Sequence, residues 1–268
     1  IPPCYFSYRK PPKLNLMKEL HNAISNNQLT LMYQPQLHIK TNVITGIEVL
    51  VRWHHPTLGI IPPSEFIVES ENSDMINELT CWVTDNAVKQ CVEWEKAGYD
   101  LNISINLSVR NLPMPNITTS VGDILTKHKL KPNRLTFELT ETALMVDMDQ
   151  AKEVLQDMSR LGIKFAIDDF GVGYAPFVYL QALPISEIKL DKLFIDKLFS
   201  SKNDKNLIKY LIKLAHSINM IVIAEGVEDE ETYNILKELA CDCVQGYFIS
   251  QPLSSSNLLL WLDKYKTI

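Results

Sequence analysis

Short apolar runs alternate with longer stretches of helical periodicity along most of this chain. The runs are LTLMYQPQL (29–37), VITGIEVLVRW (43–53), LNISINLS (101–108), RLTFELTE (134–141), KFAIDDFG (164–171), EIKLDKLFI (187–195), MIVIAEGV (220–227) and CVQGYFIS (243–250). Each has the length and side-chain mix of a buried strand. Helical spacing of apolar residues marks an entry helix from Leu14 to Asn26, then Ser64 to Ala97, Asp149 to Leu161, Lys205 to Ser217 and Glu230 to Leu239. Strand alternating with helix implies a parallel sheet, and eight units imply a closed (β/α)8 TIM-type barrel. The first two runs are joined only by HIKTN (38–42), too short for a helical crossover, which needs a dozen or more residues. They must pair antiparallel. The expected fold is α/β, a modified (β/α)8 TIM barrel with one antiparallel strand.

Composition adds boundaries to this picture. The 268 residues suffice for one barrel. The opening IPPCYFSYRKPP has four prolines and no periodicity, so residues 1–13 read as a linker and 14–268 as the barrel. Starting at Ile1 instead of a methionine, the chain reads as a piece of a longer protein. The formal net charge of −6 disfavours duplex nucleic acid, whose binders carry a basic face. Five cysteines, Cys4, Cys81, Cys91, Cys241 and Cys243, have no metal-finger spacing and read as packed, reduced thiols. That favours a cytoplasmic location, including as the cytoplasmic domain of a larger membrane-anchored protein. No apolar run reaches ~18 residues, so no membrane segment is expected.

The polar residues near the ends of the runs carry the chemistry. They are Gln34, Glu48 with Arg52, Asn106, Glu138 with Glu141, Asp168 with Asp169, Lys189, Glu225 and Gln245. In a barrel of this kind the strand ends gather at one mouth, where active sites lie. The carboxylates Glu48, Glu138, Asp168, Asp169 and Glu225, the amide Asn106 and Lys189 would converge there. Two unit charges ~4 Å apart repel by about 4 kcal/mol at an effective dielectric of about 20. Either the carboxyl pKa values rise or cations bind. Oxygen donors suit Mg²⁺ or Mn²⁺, not zinc. The glycine-rich turn after Asp168-Asp169 lets two neighbouring aspartates converge and bridge two ions ~3.5–4 Å apart. Lys189, alternating with apolar neighbours, could hold or deprotonate a water nucleophile or lie in a structural salt bridge. Arg52 could fork onto a phosphate or make a surface ion pair. The adjacent His54-His55 follows Trp53 in a loop and reads as rim.

At these residues the sequence resembles the EAL domain family of cyclic di-GMP phosphodiesterases. The resemblance covers about Leu14 to Leu262 and rests on YQP (33–35), EVLVRW (48–53), NLS (106–108), ELTE (138–141), DDFG (168–171), KLD (189–191), AEGVE (224–228) and QGY (245–247), in that order. It implies a modified barrel with one antiparallel strand and metal-dependent opening of cyclic di-GMP to linear pGpG. It implies metal ligation by Glu48, Asn106, Glu138, Asp168, Asp169 and Glu225, with Mg²⁺ or Mn²⁺ as two ions. Lys189 is similar to the lysine that contacts the nucleophilic water and, with Glu48 and Glu225, makes up the implied catalytic set. Gln34 and Arg52 resemble substrate contacts, Gln245 a polar residue of the substrate site, and Glu141 the glutamate that steadies the loop after DDFG. A homodimer is implied, through a surface in Tyr174 to Leu183, as is an upstream sensor or GGDEF domain.

The sequence departs from the family at Val49 within Glu48-Val49-Leu50, at Val172 and at Ala175-Pro176. The last two alter the polarity of the loop after the aspartate pair. Three other readings stay open: a degenerate relative serving as a cyclic di-GMP receptor and interaction module, a barrel enzyme for another phosphodiester or a sugar phosphate, and a scaffold.

Overall fold

The computed structural model describes residues 16–144, 148–171 and 181–265. Helix α1 (Leu16–Ser25) leads into β1 (Leu29–His38) and β2 (Val43–His55), and a short β3 (Gly59–Ile61) follows. Then come α2 (Pro63–Glu71), α3 (Met75–Lys96), β4 (Asn102–Asn106), α4 (Ile117–His128), β5 (Leu135–Thr140), α5 (Glu141–Leu144), α6 (Met148–Arg160) and β6 (Lys164–Phe170). The remainder is β7 (Glu187–Leu190), α7 (Lys192–Ile195), α8 (Lys202–Ser217), β8 (Ile221–Ala224), α9 (Glu230–Glu238), β9 (Cys243–Val244) and α10 (Ser255–Tyr265).

Eight strands close on themselves in the order β1-β9-β8-β7-β6-β5-β4-β2, and β1 pairs with β2 to complete the ring. β1 is antiparallel to both of its neighbours, and the pairings from β2 through β4 to β9 are parallel. The short connection at 38–42 thus reverses one strand, as its length requires. β3 lies outside the ring as a hairpin extension of β2. With β1 reversed, its first half lies at the mouth where the parallel strands end, so Gln34 stands opposite Glu48 in the register.

Several boundaries differ from the sequence reading. The run 187–195 is strand only to Leu190, because the Asp191 carboxylate accepts a hydrogen bond from Leu193 N at 2.7 Å and starts α7. The run 243–250 is strand for two residues only, and the chain then turns with Gln245 at the mouth. Ser64 to Ala97 is two helices broken around Asn72. His54 and His55 end β2 instead of lying in a loop. β3, α4, α5 and α10 have no named counterpart in the apolar pattern. The linker expected at 1–13 lies outside the described residues.

The hydrophobic core sits between the barrel wall and its helices. Trp53, Phe66, Trp94, Phe137 and Phe165 are fully buried. Tyr33 meets Trp94 edge-on at 4.8 Å and Trp53 meets Phe66 at 5.5 Å, the favoured perpendicular geometry for aromatic pairs. Outward-facing Val49 and Val51 join this layer, which leaves Glu48 on the opposite, inner face of β2. Val49 therefore stays out of the mouth. The described cysteines, Cys81, Cys91, Cys241 and Cys243, are all free.

Candidate active site

Lys189 organises the mouth. Its side chain is completely buried at the middle of β7. Nζ lies 2.6 Å from Glu225 Oε1, 2.7 Å from Glu138 Oε2, 3.2 Å from Asp168 Oδ1 and 3.3 Å from Glu48 Oε2. These carboxylates come from β2, β5, β6 and the residue after β8. Glu225 is held there because its N–H continues the ladder to Leu190 O at 3.0 Å. Asn106, the last residue of β4, is registered beside Glu138 and donates from Nδ2 to Glu48 Oε1 at 3.3 Å.

Asp168 and Asp169 converge by a different device from the one read in the sequence. β6 does not stop before the pair but runs to Phe170, and its register with β7 shifts between Ile167 and Phe170. The pair occupies this bulge, which re-aims side chains that would otherwise point to opposite faces. Asp169 has φ +52°, a left-handed conformation that aspartate tolerates better than most residues. Asp168, Asp169 and Glu225 thereby bring one carboxylate oxygen each to within 4.8 Å of one another. Gly171 follows at φ +98°, with a Cβ there blocked by the Phe194 ring. Its N–H donates to Glu141 Oε2 at 2.8 Å, so Glu141 anchors the turn leaving the aspartates.

The charges do not balance. Burial works against the Lys189 ammonium, but Glu138, Glu225, Glu48 and Asp168 outweigh it and hold its pKa well above the usual lysine value. Burial lifts Glu138 well above the usual carboxyl range, with Glu48 and Asp168 adding to the rise against the pull of Lys189. Burial pushes Glu225 up to about 8, against Lys189 and with help from Asp168 and Glu48. Asp169 is raised by burial first, then by Asp168 and Asp191. One ammonium cannot neutralise this set. Glu138 Oε1 is also buried without a hydrogen-bond partner, an expensive state for a carboxylate oxygen unless something binds it.

The substrate-contact candidates divide. Gln34 and Gln245 are buried and joined to the cluster: Gln245 Nε2 donates to Glu48 Oε2 and to Gln34 Oε1 (3.2 Å), while Gln34 Nε2 donates to Ser250 O at 3.1 Å. Arg52 stands apart from Lys189. It donates to Val51 O at 2.9 Å and makes no ion pair among the described residues. It lines a cavity of about 330 Å³ beside the cluster, shared with Asn106, Glu138, Ser108 and Glu71. Ser108 Oγ donates to Glu71 Oε1 at 2.7 Å across that cavity. Of the two histidines, His55 is buried against Thr57 and Leu58 and His54 bonds Thr30; neither enters the site. Val172, Ala175-Pro176 and the aromatics Tyr174, Phe177 and Tyr179 lie outside the described residues.

Sequence reasoning missed Gln36, Ser250 and Asp191 as neighbours of the site. Gln36 could have been found, since it lies two residues from Gln34 on the same face of β1. Ser250 contributes a carbonyl and left no side-chain signal.

Fold and site together define a barrel whose mouth gathers carboxylates around one buried lysine. The chain belongs to the EAL domain family, which it matches over residues 17–252. It is 35% identical over 248 residues to the bifunctional diguanylate cyclase/cyclic di-GMP phosphodiesterase MucR of Pseudomonas aeruginosa, covering 92% of this chain and 36% of MucR. It is 35% identical over 259 residues to the cyclic di-GMP phosphodiesterase NbdA of the same organism, covering 96% of this chain and 33% of NbdA. The chain thus spans about a third of the length of these curated relatives. Among solved structures, the PaMucR phosphodiesterase in complex with c-di-GMP superposes with a TM-score of 0.86 at 35% identity, covering 91% of this chain and all of that one. The FimX EAL domain from Pseudomonas aeruginosa bound to c-di-GMP gives 0.83 at 26% identity, covering 90% and 97%. No helix among the described residues is long and apolar enough to cross a membrane.

Proposed function

We propose that this domain hydrolyses cyclic di-GMP to linear pGpG with Mg²⁺ or Mn²⁺ held as two ions by Glu48, Asn106, Glu138, Asp168, Asp169 and Glu225. The observation that carries this reading is the surplus of buried carboxylate around Lys189, with Glu138 Oε1 left partnerless. The donors are all oxygen, which fits hard cations. Bound cations would neutralise the carboxylates, polarise the phosphate and lower the pKa of a water. The family membership and relatives named as cyclic di-GMP phosphodiesterases support the substrate.

The chain's own residues divide the remaining work. Lys189, held protonated by four carboxylates, acts as a hydrogen-bond donor that orients the water and not as the base that takes its proton. Arg52, free of ion pairs among the described residues and lining the adjacent cavity, is positioned to reach a phosphate. Gln34 on β1 and Gln245, just past the end of β9, border the carboxylate cluster at Glu48, and Glu141 keeps the aspartate bulge in place through Gly171. Water adds to one phosphorus, one P–O bond breaks, and the leaving ribose oxygen takes up a proton, giving a linear dinucleotide.

The receptor reading is disfavoured because every strand-end carboxylate and the lysine are present and assembled. A homodimer and an upstream sensor or GGDEF domain are part of the proposal. The first is supported by Leu207, Tyr210 and Leu214, exposed on one face of α8, and the second by the relatives' greater length. The test of activity is product analysis with and without chelator. The test of the dimer is rate per chain across a dilution series alongside light scattering.

A further inference from the structure

A third glutamine lies beneath the site. Gln36 is buried on β1, directly opposite Gly46 in the antiparallel register with β2. A Cβ at position 46 would overlap Gln36 Oε1, so the glycine makes the room in which this amide lies. Gln36 Nε2 donates to Gln245 Oε1 at 2.9 Å. Gln245 Nε2 is then turned toward Glu48 Oε2 and Gln34 Oε1.

An amide has a donor end and an acceptor end, and this chain of contacts allows only one orientation for Gln245. Flipped, its NH2 would face the NH2 of Gln36, and its oxygen would face the Glu48 carboxylate and the Gln34 oxygen. Both arrangements are repulsive, and buried polar networks tolerate such mismatches badly. Glu48 and Gln34 turn the Gln245 NH2 toward themselves, and Gln36 supplies the matching donor for the Gln245 oxygen from below.

We propose that Gln36 is a positioning residue for Glu48: by fixing the amide of Gln245, it keeps a donor against the Glu48 carboxylate and so aims that carboxylate at the reaction centre. This rests on the reading of Glu48 as a working ligand of the phosphodiesterase site. Gln36 itself hydrogen-bonds Gln245 and neither Glu48 nor Lys189. It acts through Gln245.

The test is a double-mutant cycle between the two glutamines with two readouts, turnover of cyclic di-GMP with Mn²⁺ and Mn²⁺ affinity by electron paramagnetic resonance. Gln36→Met keeps length and removes the donor. It should lower kcat by about ten-fold, the order expected for one mis-set hydrogen bond to a charged group, with KM within about two-fold. Gln36→Glu, which puts an acceptor against Gln245 Oε1, should cost more. Both should weaken Mn²⁺ binding. Because Gln36 acts through Gln245, adding Gln36→Met to Gln245→Met should change neither readout by more than about two-fold. Should the Gln36 variants not fold, Gly46→Ala, which displaces the Gln36 amide without touching its chemistry, should reproduce the same losses. Multiplicative losses in the double variant, or wild-type Mn²⁺ affinity in Gln36→Met, would overturn the proposal. A wild-type domain that binds Mn²⁺ but turns over no cyclic di-GMP overturns the phosphodiesterase reading instead, and the Mn²⁺ arm then decides Gln36 alone.

Discussion

The ammonium of Lys189 lies 2.7 Å from Glu138 Oε2 with both side chains essentially sealed from solvent. Such a pair is stable only while the partners are complete, because a buried charge without compensation is costly. Lys189→Met should therefore have two signatures. Turnover should fall about a hundred-fold or more, the weight of a lost donor aimed at developing charge, while cyclic di-GMP still binds. The metal-free protein should also lose about 3–5 kcal/mol of stability, part of which Mn²⁺ restores. Calorimetric titration of the nucleotide and denaturation with and without Mn²⁺ separate the two. Loss of stability with unchanged kcat would make the lysine structural only.

Asp168 contacts Lys189 at 3.2 Å and shares the oxygen cluster with Asp169 and Glu225. Asp168→Asn preserves shape and removes a charged donor, so Mn²⁺ affinity and turnover should fall together. Asp169→Asn should fold normally, since asparagine also accepts the φ of +52° at that position, and should lose Mn²⁺ affinity. Turnover at saturating Mn²⁺ that matches wild type in both variants would remove the aspartates from the metal site.

Protons should compete with the cations. Glu225 has a folded-state pKa of about 8 against an ordinary 4.5, and Glu138 is shifted the same way. The folded metal-free protein thus keeps protons that the unfolded chain releases through the ordinary carboxyl range. The Glu225 part of this stabilising effect is complete below about 4.5 and is lost as pH rises toward about 8. Denaturation with chelator present should show stability falling over this window, with a shallower slope in Glu225→Gln. Mn²⁺ affinity should rise over the same window, with proton release on binding. Identical slopes in the two proteins would contradict the assignment.

The turn after the aspartates offers a test of support. Gly171 N donates to Glu141 Oε2 at 2.8 Å. Glu141→Ala leaves that half-buried N–H without its carboxylate partner, which costs at most about 1–3 kcal/mol, and should lower kcat by loosening the bulge while leaving Arg52 and the cavity intact. An unchanged melting temperature and kcat would mean that the turn holds itself.

Much of this was legible because period and position carry physical meaning. The reversed strand followed from the five residues HIKTN between the first two apolar runs, too few to cross a barrel. The cluster followed from polar residues near strand ends that the topology gathers at one mouth. What escaped was decided by pairing partners. The bulge at Asp168-Asp169 is a register shift against β7, which local sequence does not encode. Leu193 and its neighbours look like strand by apolarity, but the Asp191 cap turns them into helix. Arg52 matches the expected motif, yet the structure sets it toward a neighbouring cavity instead of the Lys189 cluster.

The central claim is that this mouth cleaves a phosphodiester, and product analysis tests it most directly. The purified domain is incubated with cyclic di-GMP and Mg²⁺ or Mn²⁺, and the nucleotides are resolved by chromatography and mass spectrometry. The account predicts linear pGpG accumulating with either cation, little with Ca²⁺, whose larger and looser coordination fits a tight two-ion site badly, and none with chelator. Cyclic di-GMP recovered intact under both cations, with its binding demonstrated in the same samples, would contradict it.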